Sequence, residues 1–394
     1  MDRIQARHAT LLIMALFVLQ PLAIGAWLSL IPHVKETLSL SKGELALALL
    51  GMPLALIPFL QLAARIVSAF GPRRIFMVVF PIQSVMVLLP LLAWSQSSLF
   101  FALGLFGASV AFLEVGLNAY AGRLEKRADL MIMNRCHGFW SLGIMAGSAI
   151  VALTIGPPMV KLVALAVPTT LLGIWAAWAL PRLPGDEEAA APPRRRLRQL
   201  PKALFFIALF MFSVTLTEGA MADWAAVYLA ERLGDLTVTE RAGVAVTIFA
   251  AFMAGGRFLG DWLKARLGAV TLARLTVAAA MAGVLVLVLP LPLGMAYVGF
   301  ALVGFGVSAG YPLGVSAIAA LDDRYESANI AMMATVALGG FLVGPPVIGG
   351  IAEVASLSWG LAALLPGLAL SILLSRWLRP DSGVSLAGES PKAA

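Results

Sequence analysis

Charge is scarce in this chain. Only 12% of its 394 residues are Asp, Glu, Lys or Arg, about half the fraction of a soluble globular domain. Cysteine is nearly missing. Cys136 stands alone, which excludes an intramolecular disulfide framework. No Gly-rich loop followed by Lys-Ser/Thr occurs, so no residues are present to drive the protein with ATP. Nucleophile elbows and zinc-binding spacings are absent too, so no enzymatic turnover, metal or organic cofactor is expected. The net charge of +7 does not point to nucleic acid. The basic residues lie between apolar runs and build no continuous groove surface.

What fills the chain is hydrocarbon. Sixty per cent of it is hydrophobic, with a mean hydropathy of +0.93, so the solvent for most of it is lipid. Apolar stretches near the spanning length of about 20 residues fall at 9–31, 44–67, 74–94, 99–121, 133–155 and 160–180, then at 202–229, 240–262, 270–289, 293–319, 327–351 and 357–377. The fold class expected is all-α, with twelve transmembrane helices. The first run is too long for a signal-peptide core and reads as a retained helix. With the N-terminus inside, all but Lys35, Lys42, Lys161, Arg232 and Arg241 of the basic residues fall on the cytoplasmic side. That bias places both termini in the cytoplasm.

The polar break 181–201 contains five prolines and the cluster Arg194-Arg195-Arg196-Leu197-Arg198. It reads as a cytoplasmic linker resting on lipid head groups. It divides the chain into an N-terminal six-helix bundle, 1–180, and a C-terminal one, 202–379, followed by a short tail, 380–394. A weak internal repeat agrees with this division. The stretch Gly255-Gly256-Arg257-Phe258-Leu259-Gly260-Asp261 runs on through Lys264, Arg266 and Gly268. It has a counterpart at Arg65-Ile66-Val67-Ser68-Ala69-Phe70-Gly71-Pro72-Arg73-Arg74, where the acid has become Ser68.

Ionisable side chains inside a membrane cost at least about 2.5–3.5 kcal/mol each, so each needs a reason. Glu114 shares one helix face with Asn118, four residues on, and a desolvated carboxyl there can exchange a proton near neutral pH. A structural hydrogen bond to a neighbouring helix is the competing reading. Glu218 lies in the seventh run, with Asp223 and Trp224 nearer the outer surface as outer-gate candidates. Gln20, beside Pro21 in the first run, is a hydrogen-bonding candidate. Tyr311 lies in the glycine-rich stretch 304–312 of the tenth, which reads with 339–346 as a hinge and packing element. His137, with only Cys136 adjacent, lacks convergent metal ligands and reads as an interfacial histidine.

The loop motif resembles the cytoplasmic signature of the major facilitator superfamily, which joins the second and third helices of a six-helix half. Three further stretches are similar to bacterial permeases neighbouring the fucose-permease type. They are Glu218-Gly219-Ala220-Met221-Ala222-Asp223-Trp224, His137-Gly138-Phe139-Trp140-Ser141-Leu142-Gly143 and Gly340-Phe341-Leu342-Val343-Gly344-Pro345-Pro346. The resemblance implies two bundles related by a pseudo-two-fold axis, rocking around a central site. It assigns Gly256, Arg257, Gly260, Asp261, Lys264, Arg266 and Gly268, with Arg73 and Arg74, to the inner gate. Loss of the acid at Ser68 implies that charge-based locking rests on the second half. Glu114 stands in the place of the fucose permease's helix-four glutamate, while the first run lacks its aspartate. The function expected is secondary transport of a small polar, sugar-like solute across a bacterial inner membrane. It is expected to be proton-linked, to act as a monomer among lipids and to be centred on Glu114, Asn118, Glu218, Gln20 and Tyr311. Efflux of amphipathic compounds is the alternative, and a non-transporting membrane sensor or assembly protein a third.

Overall fold

A computed structural model describes residues 3–183, 202–234, 241–321 and 326–379. Most of the expected linker 181–201 and the whole tail 380–394 lie outside the described residues. Among the described residues, twelve helices are long and apolar enough to cross a membrane. They are α1 (Arg3–Thr37), α2 (Lys42–Phe70), α3 (Pro72–Leu92), α4 (Gln96–Ala128), α5 (Met133–Leu153) and α6 (Pro158–Ala179). In the second half come α7 (Lys202–Leu233), α8 (Arg241–Leu267), α9 (Ala269–Val288), α10 (Leu293–Ala319), α11 (Glu326–Val354) and α12 (Leu357–Leu378). Lipid offers no partner to a free N–H or C=O, so each span satisfies its backbone internally. Several helices outrun the apolar windows, α1 by passing through Lys35 and Glu36 to Thr37. Hydropathy falls where the chain leaves the lipid, but helical hydrogen bonding continues.

The helices group by packing. In the first half α1 lies along α5, α2 along α4, and α3 against α4 and α6; in the second, α7 lies along α11, and α10 against α8 and α9. Glycine makes the closest of these contacts possible. A Cβ on Gly147 of α5 would sit 2.1 Å from the Leu22 carbonyl oxygen of α1, so the two backbones touch directly. Between the halves, α5 packs on α8 and α2 on α11. A two-fold exchange of the halves turns one pair into the other. The repeat also shows in the backbone. Gly71 (φ 80°) closes α2 and Gly268 (φ 76°) closes α8, each opening the next helix directly, a turn that needs a residue without Cβ.

The two glycine-proline stretches behave differently. α10 is interrupted at Ser308 and Ala309, whereas α11 runs unbroken through Pro345 and Pro346. We call the face bearing the described chain ends the terminal face and the other the distal face.

Candidate functional site

The polar residues of the membrane interior converge where the two bundles meet, and Arg257 of α8 is at the centre. Its Nη2 donates to Glu218 Oε1 of α7 at 3.0 Å, with both side chains 9% exposed. Its Nη1 donates to Ser141 Oγ at 2.7 Å and to the His137 carbonyl at 3.4 Å, both on α5 of the other bundle. The guanidinium also lies 5.9 Å from the centre of the Trp140 ring, within range of a cation–π attraction. One arginine therefore ties α7 and α8 to α5. Glycine permits this depth: Gly256, beside Arg257, packs so closely on α10 that a Cβ would lie 2.1 Å from Ser308 Oγ.

Trp140 carries the network to the first helix. Its Nε1 donates to Gln20 Oε1 at 3.0 Å. Gln20 is fully buried, and its Nε2 has no hydrogen-bond partner among the described residues. Leaving a buried donor unmade costs about 1–3 kcal/mol, so this amide is a place where a polar ligand or a water would be held. Glu114 of α4 stands apart from the ion pair. Its Oε1 and its backbone oxygen both accept from Asn118 Nδ2 at 2.9 Å. No cation is bonded to it among the described residues, although Arg257 lies within electrostatic reach. Tyr311 is half-buried, beyond the break in α10. Glu218 is thus bonded to Arg257 and Gln20 to Trp140 beside it, while Asn118 is bonded to Glu114 and Tyr311 makes no hydrogen bond to any of them among the described residues.

The loop motif divides its labour. Its first part, Gly256 and Arg257, faces the interior network rather than the loop. Asp261, one turn on, accepts from Asn134 Nδ2 of α5 at 2.6 Å and so joins the bundles near the terminal face. Lys264 lines a small cleft together with Asn134, Arg257 and Asp261, beside the exposed Ser316. Arg266 lies over the Trp262 ring at 4.5 Å. A Cβ added to Gly260 would meet nothing within 4 Å. In the first half Arg73 holds the Ala177 and Trp178 carbonyls at the end of α6, which satisfies orphan acceptors there. Arg74 is exposed, and so is Ser68, without a hydrogen bond among the described residues.

Closure of the distal face involves residues that sequence reasoning missed. Trp224 is fully buried beneath Gly349 of α11, while Asp223 is half-buried and has no partner among the described residues. The polar contacts at that end are made by Lys42, Gly43, Glu231 and Glu353. The apolar run in α11 ends at Ile351, so Glu353 looked like loop. Trp140 and Ser141 lie in the stretch 137–143, yet nothing in the sequence says that they meet an arginine 116 or more residues away.

A family model for the Major Facilitator Superfamily matches residues 12–340. The chain is 30% identical over 364 residues to the membrane protein MosC of Rhizobium meliloti, covering 91% of this chain and 86% of that one. Among solved structures, a point mutant of the nucleoside transporter NupG superposes with a TM-score of 0.73 at 14% identity, over 94% of this chain and 98% of that one. A point mutant of the E. coli fucose:proton symporter FucP does so with a TM-score of 0.62, also at 14% identity, over 94% and 98%. Likeness at that identity speaks for the fold alone.

Proposed function

Since the chain belongs to the Major Facilitator Superfamily and is a transporter rather than an enzyme, we propose that it carries a small polar organic solute together with a proton. The observation that carries this reading is the unequal treatment of the two central acids. Glu218 is committed to Arg257. Glu114 is held only by the Asn118 amide, within reach of the same arginine. Protonated, Glu114 is neutral and cheap to bury. Ionised, it competes for Arg257. Arg257 bridges the bundles through Ser141, so a change in the charge of Glu114 is felt at the interface that must slide. The solute would take its hydrogen bonds from the free Gln20 amide, Asn118 and Tyr311, with Trp140 as an apolar wall. Sugar-like and nucleoside-like compounds suit that mixture, and NupG and FucP carry such solutes on the same fold.

The excess of Lys and Arg on the terminal face supports a cytoplasmic location for that face in a bacterial inner membrane. Alternating access would open the central site to one of the two faces at a time.

The test has two stages. A thermal-shift screen of purified protein against monosaccharides, nucleosides, organic acids and amphipathic amines identifies a binder, since a ligand of the native state raises its stability. Uptake of that binder into proteoliposomes is then measured with and without an imposed pH gradient. At one proton per solute, a gradient of about one unit sustains about tenfold accumulation. Glu114→Gln is expected to equilibrate the solute without concentrating it. Accumulation that ignores the gradient and survives Glu114→Gln removes the proton. Movement of amphipathic amines alone, from the terminal face, favours efflux.

A further inference from the structure

The N-terminus of α2 is capped from both bundles at once. The first N–H groups of a helix have no internal partner. Here Ser41 Oγ accepts from Glu44 N at 3.2 Å, and Glu44 Oε2 accepts from Ser41 N at 2.8 Å, a complete capping box within the first bundle. Of the two donors left, that of Gly43 goes to the other bundle, its N donating to Glu353 Oε2 of α11 at 2.8 Å. The adjacent Lys42 reaches a second helix of that bundle, its Nζ lying 3.0 Å from Glu231 Oε1 of α7. Two consecutive residues of α2 thus hold α7 and α11 together over the distal end.

An apolar seal lies directly beneath. A Cβ on Gly349 would meet the Ala46 Cβ at 2.3 Å, the Lys42 carbonyl at 2.9 Å and the Trp224 ring at 2.9 Å. Only glycine lets α11 approach α2 this closely. Glu353 is exposed, and Lys42 and Glu231 are 23% and 40% exposed. All three exchange their bonds for water at little cost. Such a clasp does not lock a conformation. It biases an equilibrium, as a cycle that must reverse requires.

We propose that Glu353 and Lys42, with Glu231, form the latch of the distal gate, the positioning groups that hold this face shut. The idea rests on the alternating-access reading above, but its test needs neither solute nor proton. Nitroxide labels are placed at Thr37→Cys on α1 and Val354→Cys on α11 in a Cys136→Ser background. Pulsed dipolar distances are then measured on the purified, ligand-free protein. Glu353→Ala and Lys42→Ala are each expected to raise the long-distance, distal-open population about two- to fivefold. Glu353→Gln keeps an acceptor for Gly43 N–H and is expected to fall in between. Glu44→Ala removes the capping box but leaves the cross-bundle bonds, and is expected to leave the distances unchanged. Unaltered distributions in both alanine variants overturn the latch. So does a Glu44→Ala effect equal to that of Glu353→Ala, since fraying of α2 would then explain it. A protein that transports nothing in vesicles but shows these shifts keeps the latch and loses the cargo.

Discussion

Arg257 illustrates how one side chain changes meaning between a string and a fold. In the sequence it is the first basic residue of a loop motif; in the structure it lies in the interior, bonded to Glu218, Ser141 and the His137 carbonyl. Breaking a buried ion pair leaves an uncompensated charge, which costs about 3–5 kcal/mol, whereas replacing both partners by apolar groups is often neutral. Arg257→Ala is therefore expected to destabilise the protein by about that amount, read as a lower melting temperature in detergent. The double variant Arg257→Leu/Glu218→Leu is expected to recover most of the loss while remaining inactive in transport. If the single and double variants melt alike, the pair is not the stabilising unit described here. The candidate acids were legible in the sequence because charge within an apolar run is conspicuous. Their partners were not, since Glu218 and Arg257 stand 39 positions apart on different helices, and Trp140 and Gln20 stand 120 apart.

At the scale of the element, glycine content reads two ways. Along α5, Gly143 and Gly147 bring backbone against backbone, with ideal Cβ positions 2.3 Å and 2.1 Å from carbonyl oxygens of α1. Gly260, in the loop motif, has nothing within 4 Å. Overpacking a filled contact costs typically about 1–3 kcal/mol, and here the obstacle is backbone rather than a flexible side chain. Gly147→Ala is expected to lower thermal stability by an amount in that range, and Gly260→Ala to leave it unchanged, both measured by the same melting assay. A Gly147→Ala variant with native stability would mean that α1 and α5 are free to separate. The helix-end signals were written locally. Ser41 with Glu44 spells a capping box, and Gly71 and Gly268 mark turns of positive φ. The interruption of α10 at Ser308 was less so, because glycine and proline also fill α11, which stays continuous.

For the whole molecule, the arrangement to check is sidedness. Cysteines at Thr37 and Ser356 of the distal face are expected to react with a membrane-impermeant maleimide added to intact cells. Cysteines at Met131 and Arg266 of the terminal face are expected to react only after permeabilisation, all in a Cys136→Ser background. The reverse pattern would invert the orientation that the basic residues indicate.

What the sequence by itself determined is the set of parts: twelve spans, their common solvent, the halves and the repeated glycine turn. Each follows from short-range chemistry, since a run of apolar residues in lipid must close its own hydrogen bonds whatever its neighbours do. Only the tertiary structure decided the pairings. Whether a helix turns Glu114 or Phe112 toward the centre depends on packing against helices far away in the chain, and packing is not local. That is why two acids alike in the sequence part company in the fold. Glu218 is paired with Arg257, and Glu114 is left with an amide and no bonded cation among the described residues.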